Sequence, residues 1–61
     1  MANLSQVELN TIKELVAMED VNAKKFQLYA QNCKDTQLQG IFNQEAQQAF
    51  SNSKTLIDFL A

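Results

Sequence analysis

Asn32-Cys33-Lys34-Asp35-Thr36 is the only polar cluster in this 61-residue chain long enough to hold a turn. Proline is absent and the single glycine, Gly40, lies beyond the cluster, so nothing else forces a break in the long segments on either side. Upstream, Ser5 and Glu8 have the Ser-x-x-Glu spacing of a capping box, which opens a helix near residue 5 and lets it run to about Asn32. Downstream, either Asp35 or Thr36 can cap a second helix, and Thr36 with Gln39 repeats the capping-box spacing. The reading is a single domain over residues 1–61: helix 1 at about 5–32, a turn at about 33–35 and helix 2 at about 36–60. Gly40 weakens the second helix by up to about 1 kcal/mol relative to alanine. It is read as a point of close packing near the bend.

Apolar residues recur along each segment in steps of three and four, which holds them on one helical face. The first row is Ile12, Leu15, Glu19, Asn22, Phe26, Tyr29 and Cys33; the second is Leu38, Phe42, Glu45, Ala49, Asn52, Leu56 and Phe59. A short connection makes the helices antiparallel neighbours, with facing residue numbers that sum to about 68 to 71. Phe26 then meets Phe42 and Glu45, Tyr29 meets Leu38 and Ile41, Ile12 meets Leu56 and Phe59, and Glu19 meets Ala49 and Asn52. The apolar arc is wider than one partner helix needs. Leu15, Phe26, Tyr29, Phe42, Ala49 and Leu56 are therefore read as core or dimer interface, with two hairpins packed face to face. The expected fold is all-α: an antiparallel helical hairpin that homodimerises into a four-helix bundle.

Composition supports assembly over self-sufficiency. A domain of about 60 residues buries only some 60% of its unfolded surface. One cysteine rules out an internal disulfide, and the absence of histidine removes the commonest metal ligand. The net charge of −2 and five scattered lysines lack the basic stripe of a nucleic-acid binder. No apolar run approaches the roughly 20 residues of a membrane span, and the N-terminal residues lack a charged, apolar leader. Synthesis in a reducing cytoplasm is expected, with Cys33 a thiol that packs as a small apolar turn residue or cross-links copies in an assembled layer.

Two carboxylates interrupt the apolar rows. A carboxylate on a buried face must be paired, protonated or metal-bound. Glu19 is read as part of a buried polar layer with Asn22 and Asn52, which fixes helix register. Its alternative is a relict metal ligand. Glu45 is the second relict candidate and is expected to snorkel to the bundle edge toward Lys24 or Lys25. No metal or cofactor is expected, and no nucleophile–base pair or phosphate loop is present, so catalysis is not expected.

The order of these features carries a resemblance. Glu19 is followed by Lys25-Phe26-Gln27-Leu28-Tyr29-Ala30, a Cys-Lys-Asp turn, Leu38-Gln39-Gly40-Ile41-Phe42, a glutamine-rich run and Leu56-Ile57-Asp58-Phe59-Leu60. Over about Leu15 to Leu60 this resembles the small coat F-like proteins of spore-forming bacteria and the rubrerythrin half-bundle of the ferritin-like superfamily. The resemblance implies a ferritin-like bundle, protein partners that include spore-coat components, and a place in the spore coat. In metal-binding relatives a first-helix glutamate, matched by Glu19, faces a Glu-x-x-His. Here those two positions hold Ala49 and Asn52, so the resemblance implies lost ligands. The implied function is structural. The alternatives are a degenerate, weakly metal-binding ferritin-like protein in iron or oxidative-stress metabolism, and a small RNA-binding helical hairpin.

Overall fold

The computed structural model describes residues 4–60, and among them the only regular elements are two helices: α1, Gln6–Asn32, and α2, Thr36–Asp58. Local chemistry sets the ends of both. The Ser5 hydroxyl accepts from the Glu8 N–H at 3.1 Å while the Ser5 N–H donates to Glu8 Oε1 at 3.0 Å, closing the capping box that starts α1. Donation from the Ser5 backbone N–H, and secondarily from the Ser5 side chain, holds the fully exposed Glu8 carboxyl below its usual pKa.

At the bend, Asp35 caps α2 by accepting the Leu38 N–H at 2.9 Å. A Thr36–Gln39 capping box does not form. Gln39 instead turns back and donates its side-chain amide to the Ala30 carbonyl at 3.0 Å. The same carbonyl receives the Cys33 N–H at 3.3 Å, so one of the free acceptors at the end of α1 is shared between the turn and the start of α2. Regular helix stops at Asp58, two residues before the expected end, and Phe59 and Leu60 finish in a turn through N–H bonds to Leu56 and Ile57. Gly40 is not a close-packing site. A Cβ built there meets nothing within 4 Å, so the residue sits on an open helix surface.

The seam between the helices runs through Leu9, Ile12, Val16, Glu19, Ala23, Phe26, Ala30 and Cys33 on α1, and through Gln39, Phe42, Ala46, Ala49, Ser53 and Leu56 on α2. These are buried or half-buried and follow steps of three and four, the pattern of antiparallel helices packed along a left-handed seam. Among the described residues every buried one is small: Ala23, Ala30, Ala46, Ala49 and Ser53. This corrects the expected rows. Val16, Ala23 and Ala30 take the seam places assigned to Leu15, Asn22 and Tyr29, and Gln39, Ala46 and Ser53 take those of Leu38, Glu45 and Asn52. A pair of helices with nothing else to bury against approaches closest where side chains are small, which displaces the bulky neighbours to the flank.

The register is the expected one. Phe26 and Phe42 stack with ring centroids 6.4 Å apart, and Asn52 reaches Glu19 across the seam. The pair forms a single layer with extents of 46 × 16 × 11 Å. Its radius of gyration is 14.2 Å, against about 10.5 Å for a compact chain of this length.

Candidate functional site

The displaced residues define the most distinctive surface. In an antiparallel pair, the position just before each alternate seam residue falls on the same side of the layer for both helices. That places Leu15, Asn22 and Tyr29 of α1 beside Leu38, Glu45, Asn52 and Phe59 of α2. The half-buried seam residues Ile12, Glu19, Phe26, Phe42 and Leu56 form the floor between them. Leu15 is 38% exposed, Leu38 46%, Tyr29 49% and Phe59 49%; Val21 and Leu28 on the outer side of α1, and Phe50 and Ile57 on the reverse side, are similarly uncovered. The reverse side of the layer carries Lys13, Asp20, Lys24, Gln27, Asn43 and Lys54, with Phe50 and Ile57 as its large apolar residues. There Lys24 pairs with Asp20 at 3.1 Å, an exposed i,i+4 contact of little energetic weight.

Along its length the apolar face is divided into three bands. Near the bend, Phe26, Tyr29 and Phe42 form an aromatic cluster, Phe26 edge-on to Tyr29 at 6.3 Å and Tyr29 tilted on Phe42 at 5.7 Å. At the open end, Leu4, Val7, Glu8, Thr11, Ile12, Leu56 and Phe59 line a mainly apolar groove of about 390 Å³. Between the two lies a polar band. Asn52 donates to Glu19 Oε2 at 3.4 Å and accepts from the Gln48 amide at 2.8 Å, with Asn22 and Glu45 alongside.

The polar layer expected from Glu19, Asn22 and Asn52 is thus brought to one level, but on the hairpin it is not buried. Glu19 is half-buried, and Asn22 and Asn52 are exposed. Glu45 is also exposed, one step off the seam, so it does not interrupt a buried stripe. Ala49 is buried directly in the seam.

Among the described residues no three histidine, cysteine or acidic side chains lie close enough together to hold an ion. Glu19 faces a methyl group at Ala49 and an amide at Asn52 where a carboxylate and an imidazole would be needed, so the donor set does not fit a transition-metal pair. Cys33 is half-buried at the bend, its Sγ 3.5 Å from the Asp35 carbonyl oxygen. No helix among the described residues is long and apolar enough to cross a membrane.

What sequence reading missed is the small-residue seam. Its signal is present as alanines and a serine at three- and four-residue steps, but apolar bulk outweighs it. No family model, curated protein or solved structure matches the chain.

Proposed function

We propose that this chain is a non-catalytic structural or protein-interaction protein, a half-bundle that homodimerises through its apolar face and then docks onto other proteins. The observation that carries the proposal is the surplus of uncovered surface. The hairpin exposes 4740 Å² for a mass of 6.9 kDa, whereas a monomer of that mass is expected to expose about 4,000 Å². Two hairpins packed to the compactness of a monomer of twice the mass, which is expected to expose about 6,600 Å², would remove roughly 2,900 Å² from water. That lies in the range of obligate homodimers rather than transient contacts.

The feature order from Glu19 to Leu60 supports a role like that of small spore-coat proteins, with spore-coat components among the partners and a four-helix, ferritin-like bundle as the working form. The neutral, glutamine- and asparagine-rich outer surface, including Gln44, Gln47 and Gln48, suits close protein–protein packing. A second reading, a degenerate ferritin-like protein with weak metal binding, is favoured by one observation: Glu19 keeps a half-buried carboxylate at the first-helix ligand position.

Native mass spectrometry of protein purified without chelator and offered iron, manganese and zinc separates these readings. A metal-free dimer is the expected result. A monomer at micromolar concentration removes the assembly reading, and a dimer with stoichiometric metal replaces it with the ferritin-like one.

A further inference from the structure

We draw no further inference here: the strongest candidate, the apolar groove at the open end of the hairpin between Leu4, Val7 and Ile12 on one side and Leu56 and Phe59 on the other, lies at the N-terminus of α1 and nothing in the structure shows what covers it.

Discussion

Neighbouring residues Asn22 and Ala23 give the sharpest test of which face forms the seam. Ala23 is 0% exposed, its methyl enclosed by α2, whereas Asn22 one position earlier is exposed. Replacing Ala23 with leucine adds three carbons to a site with no free volume, and such overpacking costs typically 1–3 kcal/mol. Leucine and alanine differ little in helix propensity, so nearly all the loss comes from the seam. For a domain of this size each kcal/mol moves the thermal midpoint by about 4–8 °C, which gives an expected drop of roughly 5–20 °C. The same residue introduced at Asn22 has open space and a better helix former in place of a poorer one. Its midpoint is expected to stay level or rise by a few degrees. Far-UV circular dichroism melts at equal protein concentration make the comparison, since association of folded chains raises the midpoint by mass action. If Asn22→Leu lowers the midpoint while Ala23→Leu leaves it unchanged, the seam runs through the bulky row and the packing described above is wrong.

Gly40→Ala adds a methyl to an exposed helical position that nothing approaches. It is expected to raise stability by up to about 1 kcal/mol, read as a higher denaturation midpoint. Gln39→Ala removes the side-chain bond to the Ala30 carbonyl and is expected to cost about 0.5–1.5 kcal/mol, with amide exchange of Cys33 and its neighbours accelerating before the rest of the chain. The first turn of α1 is expected to be acid-sensitive. Because the folded-state pKa of Glu8 is lowered from its ordinary 4.5, its contribution is fully present above that value and is lost as pH falls through the lowered one. Fraying at Gln6–Asn10 in a carbon-detected pH titration checks this, and Glu8→Gln should abolish the dependence.

The helix ends were legible because their signals are local. A serine three residues before a glutamate, and an aspartate three before the Leu38 N–H, each satisfy a free donor wherever they occur in a chain. Register followed from the three-residue connection, which leaves the helices little freedom to slide, and Phe26 on Phe42 and Glu19 near Asn52 lie where that arithmetic puts them. Which face turns inward was not legible, since a row of apolar bulk marks surface that must eventually be covered without saying by which neighbour. Tyr29 and Ala30, or Glu45 and Ala46, sit side by side in sequence, and close approach of the two backbones rather than hydrophobicity chose the alanines. The Gln39 side chain also departed from the capping pattern, because the free carbonyl of Ala30 lay within its reach.

A seam lined by alanine is a smooth track. Bulky side chains that interlock leave two helices one way to fit, whereas methyl groups at Ala23, Ala30, Ala46 and Ala49 repeat nearly the same profile every one or two turns. Sliding one helix along the other by a heptad would keep the alanines matched but break the Phe26–Phe42 stack. That stack acts together with the tether of three residues, the Gln39–Ala30 bond at one end and the Asn52–Glu19 contact halfway along. Alignment in this molecule is a property of one aromatic contact, a few polar ones and the bend, and lengthening that bend by one residue would test how firmly they keep the two helices in step.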